Sequence, residues 1–188
     1  MKKVLLIHGF TGTSTGLWFS WMKKELELLG YSVFAPQMPD TNCPILSKWL
    51  TAIEPFIRLL GEGDIIIAHS LGGNAALHAV LQNKKKIGRL ILVAPAIGKR
   101  AESDWQKRIH DWPSKEILML RKFCEEKISF EEASLFTEVT VIFSDNDPFV
   151  PSCPRRSLPK DWKMKVWHGL GHFLSFSQPR LLEEITIK

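Results

Sequence analysis

The sequence predicts an α/β fold, with about six mostly parallel strands carrying helices on both faces as a three-layer α/β/α sandwich. Three observations predict it. Most of the short apolar runs, rich in Val, Ile and Leu, are continuous rather than alternating, the pattern of strands covered on both sides. Longer amphipathic segments separate those runs, and strands alternating with helices build parallel sheets. At 188 residues and 45% hydrophobic content the chain suits one sizeable core, so a single domain over residues 1–188 is expected.

The first run, VLLI at 4–7, follows Lys2 and Lys3 and so imitates a secretory leader. It breaks at His8 and Gly9, short of the roughly 7 to 15 apolar residues a leader needs, and reads as a strand. In WFSWMKKELELLG at 18–30, Trp18, Met22, Leu26 and Leu29 share one helical stripe while Lys23, Lys24 and Glu27 fall elsewhere. Gly30 then stops the helix, in the usual place for a positive φ. YSVFA at 31–35 is the second strand, a helix follows around 46–60, and DIIIA at 64–68 is the third strand. The helix at 71–82 ends in Lys84, Lys85 and Lys86, read as a solvated helix end, before the fourth strand, RLILVA at 89–94. From 97 to 138 runs a connection of about 40 residues, longer than compact domains usually leave bare, holding Trp105, Ile109, Trp112 and the helical SKEILMLRKFCEEK. A lid-like insertion is expected there. VTVIF at 139–143, KMKVW at 163–167 and a helix at 178–186 complete the pattern.

Composition narrows the function. The net charge of +5 comes from lysines and arginines scattered beside acids, as in Lys23, Lys24 and Glu25, so a nucleic-acid surface is not expected. Cys43, Cys124 and Cys153 form no CxxC or metal-type spacing, which argues against a disulfide framework and a zinc site and suits a reducing compartment. No stretch approaches the roughly 20 apolar residues of a membrane span. A cytoplasmic protein without membrane partner is expected. The loop GFTGTSTG after the first strand lacks both GxGxxG and a GK[ST] ending, so neither nucleotide nor any other cofactor is expected.

The chemistry points to IIIAHSLGG at 65–73, where Ile65 to Ile67 end a buried strand and Leu71 starts a helix. A strand feeding a helix through His69 and Ser70 alone makes a sharp turn that lifts the central side chain above the sheet edge, beside unpaired helix N–H groups. Ala68, Gly72 and Gly73 are the small neighbours that such crowding requires. The stretch resembles the GxSxG nucleophile elbow of the α/β-hydrolase superfamily, with Ala68 at the first glycine position. That resemblance implies a base and an acid in the chain order Ser, Asp, His, on turns after later strands. The fifth strand runs into SDNDPFVP and the sixth into HGLGHF, in that order. Asp147 is favoured as the acid because Pro148 stiffens the turn behind it, with Asp145 as the alternative. His172 is favoured as the base because Gly169 and Gly171 let its loop reach Ser70. His168 reads as a strand-end histidine paired with backbone, and His8, His78 and His110 as structural or exposed. Backbone N–H groups of Leu71 and Phe10 are the expected oxyanion donors. Phe10, Phe149 and Trp18, with Trp105 or Trp112, are candidates to line an apolar substrate pocket. None of the three cysteines sits on a strand-to-helix turn with a glycine behind it, so a thiol nucleophile is disfavoured.

Several stretches are also similar to the small serine hydrolases of the retinoblastoma-binding-protein-nine type and their bacterial relatives: WFSWMKKEL at 18–26, APQMPD at 35–40, IIIAHSLGG, SDNDPFVP and GHF at 171–173. The resemblance implies a compact α/β-hydrolase fold with Ser70 as nucleophile, Asp147 as acid and His172 as base, and Trp18 and Trp21 close to the active-site loop. It implies a carboxylic-ester hydrolase working through an acyl-enzyme on a small-molecule substrate, with thioester or amide cleavage open to the same machinery. The 97–138 connection departs from the family pattern in its length. A protein-interaction module on a hydrolase scaffold is the alternative, since fold alone does not fix function. A neutral histidine base implies activity that rises with pH.

Overall fold

The computed structural model describes residues 1–97, 114–150 and 158–186. Among them six strands form one sheet: β1 (Lys3–Ile7), β2 (Ser32–Phe34), β3 (Ile65–His69), β4 (Arg89–Val93), β5 (Glu138–Ser144) and β6 (Lys163–Trp167). Each run read from the sequence is one of these strands. Their order is β2-β1-β3-β4-β5-β6, and every neighbouring pair is parallel.

The helices are α1 (Phe19–Leu28), α2 (Leu46–Ile57), α3 (Leu71–Asn83), α4 (Ser114–Glu125), α5 (Phe130–Ala133) and α6 (Pro179–Thr186). A strand–helix–strand crossover is right-handed, so the direction in which the chain steps along the sheet decides the face on which each helix lands. From β1 the chain steps one way to β2, and thereafter the other way. The core divides accordingly. Leu5, Ile7, Ile66, Leu90, Leu92, Val141 and Phe143 pack with α2, α3, Leu120 and Phe123 of α4, and Ala133. Val4, Leu6, Ile67, Ile91 and Val93 pack with Trp18, with Phe19, Met22 and Leu26 of α1, and with Leu181 and Ile185 of α6. Neighbouring strand residues serve opposite faces, which is why the runs are continuous. Burying Ile66 and Ile67 completely stabilises the fold by about 1.5–3 kcal/mol each.

The stripe on α1 ends earlier than its spacing suggests. Leu29 is 55% exposed, because the helix stops at Leu28 and Leu29 caps it while Gly30 turns the chain away at φ +85°. The basic end of α3 behaves as expected, with Lys84 left-handed and Lys84 to Lys86 in solvent. Of the 97–138 connection, α4 and α5 are described; Trp105, Ile109, His110 and Trp112 lie outside the described residues, as does Cys153. No helix among the described residues is long and apolar enough to cross a membrane. Because β1 has β2 on one side and β3 on the other, the carboxyl ends of β1 and β3 flank the point where the winding reverses, where parallel sheets open a crevice.

Candidate active site

Ser70 occupies that crevice. It has φ +53° and ψ −121°, a backbone region that costs a non-glycine residue about 1–3 kcal/mol. Three backbone hydrogen bonds hold it there. Its N–H donates to Val93 O (2.9 Å), and its carbonyl accepts from Gly73 N (3.0 Å) and Ala96 N (2.9 Å). The small residues around the turn answer to backbone contacts. A Cβ on Gly9 would stand 2.8 Å from Cβ of Ser70 and 3.4 Å from N of Leu71, so the loop after β1 closes directly on the turn. A Cβ on Gly72 would fall 2.4 Å from the His8 carbonyl and 2.7 Å from that of Ile7. Gly72→Ala is therefore expected to cost about 1–3 kcal/mol, read as a lowered urea midpoint, since neither carbonyl is free to retreat from β1.

The structure brings together the three residues the sequence nominates. His172 Nε2 lies 2.9 Å from Ser70 Oγ, and His172 Nδ1 lies 2.7 Å from Asp147 Oδ2. Asp147 is buried, and its other oxygen, Oδ1, accepts from the N–H groups of Phe149 (2.8 Å) and Val150 (2.9 Å). The carboxylate is thus oriented by its own turn before it meets the imidazole. A neutral His172 with its hydrogen on Nδ1 donates to Asp147 and leaves Nε2 to accept from the serine hydroxyl. Asp145, the alternative acid, is engaged elsewhere: its Oδ2 pairs with Nδ1 of exposed His168 and its Oδ1 accepts from Gly169 N. These bonds hold its carboxyl below the usual range, the Gly169 amide foremost. The partner of His168 is therefore this side chain and not backbone, because the β5 and β6 turns lie side by side. Asn146 Oδ1 joins the same turns, accepting from Ser144 Oγ and Gly171 N (both 2.8 Å).

Two further histidines border the site with fixed, opposite hydrogen placements. His8 is buried, its Nε2 accepts from Met38 N (3.0 Å), and its Nδ1 donates to Gly9 O (3.1 Å). With both ring nitrogens engaged it braces the β1 and β2 loops, and burial lowers its pKa. His69 points its Nε2 at the His172 carbonyl, 2.9 Å away, and burial pulls its pKa down to about 3.

A cavity of about 450 Å³ opens on Ser70 and His172. Phe10 and Phe149 line it, as the sequence suggests, and Leu71, Leu120, Val150 and Leu174 join them. Trp18 does not line it. It is fully buried, stacked on Phe19 at 4.1 Å between ring centroids, and it is Phe19 that reaches the cavity. Sequence reasoning missed Leu120 as a wall residue, although its position on the apolar side of a helix in the long connection carried the signal. Among the described residues no group of three or more His, Cys, Asp or Glu side chains is placed to hold a metal.

Comparison with known proteins shows the family and the fold. Residues 4–185 match the family described as serine hydrolase. The Bacillus subtilis (strain 168) protein YdeN is 32% identical over 181 residues, which is 92% of this chain and 86% of that protein. The crystal structure of the B. subtilis ydeN gene product superimposes with a TM-score of 0.83 at 27% identity, covering 99% of this chain and 97% of that one. An extracellular α/β-hydrolase from a Paenibacillus species shares the fold at a TM-score of 0.69 and 16% identity, covering 98% of this chain and 97% of that one. Est1E of Butyrivibrio proteoclasticus, solved with ferulic acid bound, does so at 0.70 and 18%, covering 98% of this chain and 86% of that one.

Proposed function

The chain belongs to the serine hydrolase family, and from that membership we propose that it cleaves small carboxylic esters through an acyl-enzyme on Ser70. The observation that carries the reading is the unbroken relay from Ser70 Oγ through His172 to Asp147 at the wall of an apolar cavity. A serine hydroxyl is a weak nucleophile until a base takes its proton. His172 Nε2 is within reach to take it as Oγ attacks the ester carbonyl, and Asp147 stabilises the imidazolium that forms. The N–H groups of Phe10 and Leu71 are the proposed donors to the oxyanion of the tetrahedral intermediate. Its collapse expels the alcohol, which takes the proton from His172 and leaves the acyl group on Ser70. Water then gives a proton to His172 and attacks, and the acid departs as Oγ recovers its hydrogen. The strain kept at Ser70 supports catalysis over a purely binding role, since a docking surface has no use for a half-buried hydroxyl held at a cavity wall on a strained turn.

Labelling with a fluorophosphonate probe, together with p-nitrophenyl esters of increasing acyl length, tests the reading. Label and turnover are expected in the wild type, and their absence would leave a protein-interaction module as the better account. Leu120, buried and fixed on α4, forms one wall of the cavity. Leu120→Ala is expected to raise kcat/KM about tenfold or more for acyl chains longer than the wild-type optimum, as one matched methylene in an apolar pocket is worth roughly 10- to 200-fold. An unchanged chain-length profile would remove Leu120 from the acyl site.

A further inference from the structure

His69 directly precedes the nucleophile, yet its imidazole bonds to the loop that carries the base. A carbonyl only accepts, so the 2.9 Å contact from Nε2 to His172 O requires the hydrogen on Nε2. One residue on, the Phe173 carbonyl accepts a 3.1 Å bond from Nε1 of Trp18, whose indole meets the His69 ring edge-on at 6.0 Å between centroids. Two consecutive carbonyls at the base therefore end on two buried ring donors. The loop needs restraint, because Gly169 (φ +76°), Gly171 (φ +52°) and Phe173 (φ +56°) are all left-handed, and Phe173 has a Cβ that disfavours it. Phe173 is also fully buried, which secures the far side of the loop.

We propose that His69 is a positioning residue for the base: the bond from its Nε2–H to the His172 carbonyl, backed by Trp18 on the next carbonyl, sets the His172 imidazole between Ser70 and Asp147. The proposal rests on the relay assigned above. Its logic is that one strand end supplies both the nucleophile and the peg that locates the base, so Ser70 and His172 are registered from adjacent residues. The role also demands a neutral ring. The two imidazoles lie 4.9 Å apart between centroids, and a cation on His69 would oppose the imidazolium that His172 becomes during turnover. Burial and the neighbouring His172 together keep His69 uncharged.

The test compares His69→Gln, His69→Leu and Trp18→Phe on a short-chain p-nitrophenyl ester, following kcat, KM, fluorophosphonate labelling and the low-field proton resonance of the hydrogen between His172 Nδ1 and Asp147. A glutamine amide nitrogen reaches about where imidazole Nε2 does, and leucine offers no donor. The Gln variant should keep kcat within about fivefold and retain the low-field resonance. The Leu variant should lose kcat roughly thirtyfold to a hundredfold at nearly constant KM, as expected of a base displaced by about an ångström, and lose the resonance. Trp18→Phe, which keeps an aromatic ring and lacks the donor, covers the case in which the Leu variant fails to fold; it should lower kcat by about threefold to tenfold, again at constant KM. A Leu variant within threefold of wild type, a Gln variant as impaired as the Leu one, or a Trp18→Phe kcat equal to wild type would overturn the positioning role while leaving the relay intact. A wild type that neither turns over nor labels would overturn the relay, and this role with it.

Discussion

Ser70→Ala is expected to lower ester hydrolysis by about five to six orders of magnitude and to abolish fluorophosphonate labelling, since attack, proton transfer and acyl transfer all need Oγ. The fold should survive. The bonds that hold the turn run through the backbone of residue 70, to Val93, Gly73 and Ala96, and the side chain contributes only its contact with His172. Ser70→Gly separates the strain from the chemistry. Glycine adopts φ +53° without penalty, so the Gly variant should be as inactive as the Ala variant yet equal or exceed it in denaturant stability by up to about 1 kcal/mol, after its greater unfolded-state entropy offsets part of the relief. Measurable single-turnover acylation in either variant would remove Ser70 as nucleophile.

Asp147→Asn is expected to reduce kcat by roughly a thousandfold to ten-thousandfold, and the direction follows from the turn around it. Phe149 and Val150 present two N–H donors to Oδ1, so the asparagine must set its carbonyl oxygen there and its NH2 group toward His172. An NH2 only donates, which leaves Nδ1 of His172 to accept and moves the imidazole hydrogen to Nε2. That hydrogen then faces Ser70 Oγ, and the base has no lone pair with which to take the serine proton. Asp145→Asn provides the contrast. Asp145 binds exposed His168 and Gly169 at the surface, and its loss should leave kcat within about threefold while loosening a pair that surface exposure makes nearly worthless to stability. Steady-state kinetics on both variants distinguishes them; similar losses at the two positions would mean that the braced β5 and β6 turns, and not the Asp147 carboxylate itself, govern the base.

The sequence by itself determined the sheet and the nominations. The four inner strands, β1, β3, β4 and β5, were legible because a strand buried on both faces must be apolar at almost every position, a signature that survives in one dimension; the edge strands β2 and β6, half-exposed, were read from shorter and more mixed runs. The elbow was legible because its crowding demands small residues at fixed offsets, and Gly72 and Gly73 meet the backbone of the β1 end and Pro95 where the motif implies. The end of α1 was less so, since spacing marks a stripe but not the residue at which a helix stops, and Leu29 fell outside the core.

Only the tertiary structure decided among residues equally well spaced in the chain. Asp145 and Asp147 differ by two positions, and the direction of the turn sends one to surface His168 and the other to buried His172. Trp18 had the size and apolarity of a pocket residue, but the crossover that places α1 on its face of the sheet turned it into core and sent its indole N–H to the Phe173 carbonyl. His69 has its partner 103 positions away, a pairing no local pattern encodes. Periodicity and steric crowding are properties of neighbours along the chain, whereas hydrogen-bond partnership across a crevice is settled by where separate loops arrive, and that depends on the packing of the whole sheet.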